Sequence, residues 1–152
     1  MFSQSHMYKK FCRMHNKSGK EVSHLKTIGI RTLVFLTGCF VYSLLEVSTR
    51  GFTHWTMTLT GGFVLTVIYE MHTRLENTPL WQKCILGAVI ITSAEFTVGV
   101  IVNIMLGWNV WDYSDMPYNV LGQICLPFTV LWFFLCIPAN FVCSRISRRL
   151  SG

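Results

Sequence analysis

A chain of 152 residues with 51% hydrophobic and only 13% charged side chains has too little charge to coat a soluble domain, which carries about 25%. Its mean hydropathy of +0.44 also excludes a disordered chain, which needs the opposite balance, and points to an outer surface that meets lipid. The net charge of +6 is gathered beside apolar segments near the two ends, so it reads as a positive-inside signal facing anionic lipid, and no nucleic-acid partner is expected.

Residues 1–26 form a polar, basic arm with Lys9, Lys10, Arg13, Lys17, Lys20 and Lys26, too weakly apolar to fold alone. Four apolar stretches follow, at 28–47, 54–71, 82–106 and 121–143. Each is close to the ~20 residues that cross the hydrocarbon core of a bilayer. The first is too long for a signal-peptide core, and no small-residue cleavage site follows it. Backbone inside lipid must satisfy its own hydrogen bonds, so all four are expected to be helices. The fold class is therefore all-α. The chain reads as a polytopic membrane protein, a bundle of four transmembrane helices over 27–147 with a short tail at 148–152. Pro127 and Pro138 are expected to bend the fourth helix.

The loops set the orientation. The arm, the 72–81 loop with Lys83, and the end bearing Arg145, Arg148 and Arg149 hold nearly all the cations. The 107–120 loop has none and carries Asp112 and Asp115, while the 48–53 turn has only Arg50. This asymmetry places a multi-pass protein in the cell membrane with both termini cytoplasmic and the 107–120 loop outside. Trp55, Trp81, Trp108 and Trp111 fall near the expected boundaries, where amphipathic rings are favoured.

Each span has one small or polar face, read at helical spacing. The first carries Cys39, Ser43, Glu46 and Arg50; the second Thr58, Gly62, Thr66 and Glu70. The third carries Ala88, Thr92, Glu95, Gly99 and Asn103; the fourth Gly122, Cys125, Thr129, Trp132, Cys136 and Asn140. These faces should turn inward, because lipid offers polar groups no partner. Close packing alone would explain the Gly, Thr and Cys positions. Glu95 asks for more: a carboxylate near mid-span costs several kcal/mol unless it is paired, hydrated or protonated. It marks either a functional site or a neutral, hydrogen-bonded glutamic acid that locks two helices. Glu70, nearer an inner end, is placed to snorkel.

Glu46, Arg50, His54, Asp112, Tyr113, Asn119 and Gln123 are expected to gather at the outer rim above Glu95 and Asn103. Such a shaft and vestibule would suit a small ligand or ion, and would equally suit a structural salt-bridge network. Arg50 is the expected partner of Asp112. The six cysteines include no CxxC pair and no His at finger spacing, so no metal site, disulfide framework or cofactor is expected. The chain lacks GxxxxGK[ST], HExxH and GxSxG, so it does not hydrolyse ATP itself and shows no catalytic motif.

The run Gly107-Trp108-Asn109-Val110-Trp111-Asp112-Tyr113-Ser114, followed by Asn119 and Gly122-Gln123-Ile124-Cys125-Leu126, resembles the ABC-transporter type IV (CmpB-like) bacterial membrane proteins, often labelled permeases. The likeness extends to Glu46 ahead of Arg50-Gly51, to the segment Phe52–Met57 and to Glu95, and covers about residues 28–143. Two positions depart from the family pattern. Gln123 stands where many relatives have arginine, and the second span lacks their PIYG-like motif. The resemblance implies a permease-like membrane component of a transport system, working with a separately encoded ATPase or another membrane subunit. Two other readings stand beside it. One is a small interaction or sensor protein whose polar core is structural. The other is a membrane-embedded acid/base enzyme using Glu95, His54 or Asp112. Four short spans leave little room for a pore in one copy, so a channel would need a homo-oligomer.

Overall fold

The computed structural model describes residues 25–48 and 51–150. The chain divides into two compact units, Met1–Leu33 and Val34–Gly152. Of the first, the described part is the opening of helix α1, where the Thr32 hydroxyl donates to the Ile28 carbonyl oxygen at 3.0 Å. The second unit holds the rest of α1 (Leu25–Ser48) and α2 (Trp55–Arg74). It continues with α3 (Leu80–Gly99), a π-helical run (Val100–Met105), and α4 (Leu126–Leu150). α3 packs along α4, and α2 packs against both. The basic arm through residue 24, Arg50 and the last two residues lie outside the described residues.

Among the described residues, three helical runs are long and apolar enough to cross a membrane: Leu25–Ser48, Leu80–Met105 and Leu126–Arg149. The sequence reading expected four. α2 has 20 residues, but its threonines, Gly61-Gly62 and the Glu70, His72, Arg74 end dilute its apolar character below that of the others. Eight of its residues are buried, from Thr56 to Tyr69, so much of its surface meets other helices. Glycine allows the closest of these approaches. A Cβ on Gly61 would collide with Tyr42 of α1, and one on Gly38 of α1 would come within 2.6 Å of the Gly61 carbonyl oxygen. The two polar faces meet here: Ser43 and Thr58 share a hydrogen bond of 2.8 Å.

The fourth helix starts at Leu126, not at 121. Residues 119–125 instead form a small hairpin, Asn119–Val120 (β1) paired antiparallel with Ile124–Cys125 (β2), so the chain is not wholly helical. Backbone conformation dictates the change: Leu121 and Gly122 both take positive φ, 53° and 68°, which a continuing helix does not allow. A Cβ at position 122 would lie 2.6 Å from both the Asp112 carboxylate and the Ser114 hydroxyl. Pro127 therefore falls in the first turn of α4, where a missing N–H leaves no bond unmade. Pro138 alone sits inside the helix. Lys83, read as part of a basic loop, is buried in the first turn of α3.

Candidate functional site

Glu95 sits well inside the 26-residue helical run Leu80–Met105 and is only 2% exposed. Two aromatic side chains from two other helices hold its carboxylate. The Tyr42 hydroxyl on α1 donates to Oε1 at 3.1 Å, and Trp132 Nε1 on α4 donates to Oε2 at 2.7 Å. The two rings stack on each other, with centroids 6.0 Å apart and planes at 23°. One carboxylate thus ties three helices. The donors differ in kind. An indole N–H can only donate, so Trp132 fixes Oε2 as an acceptor. A phenol can donate or accept, so Oε1 is the oxygen able to take a proton without losing its partner. Glu46, one helical turn along α1 from Tyr42, is also buried and accepts from the Thr53 hydroxyl at 2.6 Å. Glu95, Glu46 and Tyr113 all lie within electrostatic reach of the Tyr42 hydroxyl.

Two turns beyond Glu95, the π-helical run places Asn103 against the loop that follows. π-Helical turns recur at functional sites because they re-aim side chains. The Asn103 amide donates to the Trp111 carbonyl oxygen (2.9 Å) and to Gln123 Oε1 (2.7 Å), while its oxygen accepts from the Val110 N–H (2.7 Å). The Trp111 indole donates to the Gln123 carbonyl oxygen at 2.9 Å. Gly99 leaves the space that Gln123 and Trp111 fill, since a Cβ there would lie 2.6 Å from Gln123 Oε1. Asn103, Trp111 and Gln123 are all buried. Together they latch the 107–123 segment onto the end of α3, and Met57 of α2, Val102 and Val110 complete the apolar seat.

The family model described as "Putative ABC-transporter type IV" matches residues 33–151. The chain belongs to this family. No solved structure matches it. The matched region of this ABC-transporter type IV chain contains both the Glu95 group and the latched loop.

In this family member the expected rim residues fall into separate groups. Asp112 and Asn119 organise an exposed turn. Asp112 Oδ1 accepts from the Ser114 hydroxyl (2.5 Å) and N–H (2.8 Å), and Asn119 donates to the Ser114 (3.0 Å) and Met116 (2.9 Å) carbonyl oxygens. The Ser114 hydroxyl, and then its N–H, hold the Asp112 carboxyl below its usual range. Tyr113 turns the other way and stacks on Phe128 at 4.8 Å. His54 caps α2 by accepting from the Thr56 N–H at 3.4 Å. It meets Trp55 and Trp108 in a three-ring cluster, 5.7 Å from each. The pairing expected between Asp112 and Arg50 involves a residue outside the described set.

Tyr42, Trp111 and Trp132 are the residues that sequence reading left out of the site. Tyr42 lies four residues before Glu46, and Trp132 stood in the polar stripe of its own span. The signal was present as helical spacing: Trp132 was expected to face inward, but spacing along one helix does not name the carboxylate it meets. Among the described residues no group of three or more His, Cys, Asp or Glu side chains comes together as metal ligands. The five described cysteines are free.

Proposed function

We propose that this chain is a four-span, permease-like membrane subunit of a transport system, with Glu95 as the residue on which its action turns. The observation that carries the reading is a carboxylate buried at mid-helix and held by one donor that can reverse and one that cannot. A group so placed can take up and release a proton without dismantling its shell, which is what coupling to a proton or cation requires. Membership of the family supports a place in an ABC-type system. The chain carries no nucleotide-binding motif, so a separately encoded ATPase would supply the energy, and a second copy or another membrane subunit would complete a pathway too wide for one short bundle. α2 counts as the fourth span on this reading, as a less apolar helix shielded by its neighbours. Residues 27–147 then form the membrane domain. The basic ends face the cytoplasm and the cation-free 107–120 loop faces outward. Glu46, Asn103, Tyr113 and Gln123 are the candidate residues of an approach to Glu95, and His54, Asp112 and Asn119 the candidates for its outer end.

A second reading has its own support. Among the described residues no buried side-chain nitrogen or oxygen lacks a hydrogen-bond partner, as a structural core in a small interaction or sensor protein would require. The test is recovery of the tagged chain from its own membranes in mild detergent. A nucleotide-binding subunit in fixed ratio, released or inactivated by Glu95→Gln in a protein that still inserts and folds, is the expected result. A chain recovered without any ATPase, or an assembly indifferent to Glu95→Gln, overturns the transport reading in favour of the structural one. For orientation, thiol labelling from outside at a cysteine placed at position 150, with none at position 116, would reverse the assigned topology.

A further inference from the structure

The four helices of the second unit do not close completely. A cavity of about 230 Å³ lies between α1, α2 and α4, with Ile91 of α3 at its back. Gly38 and Tyr42 of α1, Val64 and Ile68 of α2, and Trp132 and Ala139 of α4 form its wall, which is carbon almost throughout. Water is a poor occupant, because a buried water needs two to four polar partners. Leaving the space empty is costly too, since lining atoms on one side lose their dispersion contacts. An apolar cavity of about 150 Å³ is already large enough to hold a benzene molecule.

The cavity is not sealed. Its wall includes Val41 and Val142, which are 47% and 38% exposed. Beside them on the helix surfaces stand Phe40, Leu44 and Phe141, all exposed and apolar. These are the surfaces of two helices long and apolar enough to cross a membrane. The opening is therefore continuous with the face that meets lipid hydrocarbon. Along α4 the wall runs from Trp132 to Val142, about 15 Å at the helical rise. That is half of a hydrocarbon core of about 30 Å.

We infer that this cavity takes one acyl chain of a bilayer phospholipid, entering between α1 and α4 past Val142. The chain lies along α4 and ends against the stacked rings of Tyr42 and Trp132. Those rings are the donors to the Glu95 carboxylate, so the occupant packs directly on the shell of the buried acid. This binding site does not depend on the transport reading, and it stands if the protein moves nothing.

The experiment uses the full chain in phosphatidylcholine vesicles whose acyl chains carry bromine near mid-chain, compared with unbrominated vesicles. Bromine quenches tryptophan on contact. Trp132 is one of five tryptophans and only 8% exposed, so bulk lipid at the outer surface barely reaches it. Ala139→Phe fills the cavity from within, and Val142→Phe narrows its mouth. The other four tryptophans meet the same lipid in every protein. Wild type is expected to lose more emission than Ala139→Phe, by up to one fifth of the total, with Val142→Phe between them. Equal fractional quenching in wild type and the filled variant overturns the assignment. So does quenching that responds to brominated free fatty acid but not to brominated phospholipid. Near-ultraviolet circular dichroism confirms that each variant is folded. If Ala139→Phe does not fold, the comparison of wild type with Val142→Phe decides by the same criterion.

Discussion

Replacing Asn103 with alanine should release the 107–123 segment while leaving the helices in place. The side chain makes three buried hydrogen bonds, to the Trp111 carbonyl oxygen, Gln123 Oε1 and the Val110 N–H, all between 2.7 and 2.9 Å. Alanine removes all three and leaves two acceptors and a donor facing an apolar seat. A buried hydrogen bond contributes about 0.5–1.5 kcal/mol net, and inside membranes the average is nearer 0.6 kcal/mol. The sum is on the order of 2–4 kcal/mol, and every 1.4 kcal/mol is a factor of ten in an equilibrium. Local opening should thus become roughly 30-fold more frequent or greater. Cys125 reports it, because it is 2% exposed and pairs with Asn119 in the hairpin. Its rate of labelling by a thiol reagent, read by peptide mass spectrometry, should rise by that factor. Cys84 on α3 is 1% exposed, lies away from the latch and should keep its wild-type rate. A Cys125 rate within twofold of wild type would show that Asn103 does not hold the loop. Equal acceleration at Cys84 would show that the variant unfolds globally and that no separate latch exists.

Glu95→Gln should retain most of its stability, because the amide oxygen can accept from Trp132 while its N–H₂ donates to a reversed Tyr42 hydroxyl. Glu95→Ala strands the Trp132 N–H and opens a void, so detergent unfolding should show a loss of about 2–5 kcal/mol; equal losses for the two variants would contradict the geometry. Gly61→Val should cost about 2 kcal/mol or more by overpacking against Tyr42, while Gly29→Ala, with nothing within 4 Å of its new methyl, should be neutral or slightly stabilising. The Asp112 carboxyl is held low by Ser114, so its contribution is complete above the ordinary carboxylate value of about 4. It fades as pH falls through the lower folded value. Carbon-13 titration of Asp112 should show its midpoint rising in Ser114→Ala, and an unchanged midpoint would remove Ser114 as the cause.

Much of the helical frame was legible in the sequence because apolar length is a strong signal. The first helix was read as 28–47 and runs Leu25–Ser48; the second was read as 54–71 and runs Trp55–Arg74. The fourth was misplaced at its start because Leu121, Ile124, Cys125 and Leu126 continue the apolar pattern. Hydropathy does not register that Leu121 and Gly122 take positive φ. The equal weight given to α2 overlooked a related property: it is helical over the expected stretch but less apolar than the other three. Length and spacing did not register how far its threonines, glycines and charged end lower its apolar character.

What the sequence determined by itself is the medium: too few charges for water, apolar runs of bilayer length, and cations confined to particular segments. Those properties are additive along the chain and need no contact to be known. It also singled out Glu95, because depth in an apolar run is a one-dimensional quantity. Only the tertiary structure decided what Glu95 touches. Tyr42 lies 53 residues before it and Trp132 lies 37 after it, and no local pattern links positions that far apart. The latch is likewise a tertiary fact. Asn103 chooses the Val110 N–H, Trp111 and Gln123 because a π-helical run and a hairpin bring backbone and side chain within 3 Å. Hydrogen bonds act over that range and no further, so their partners are fixed by folding and not by spacing along the chain.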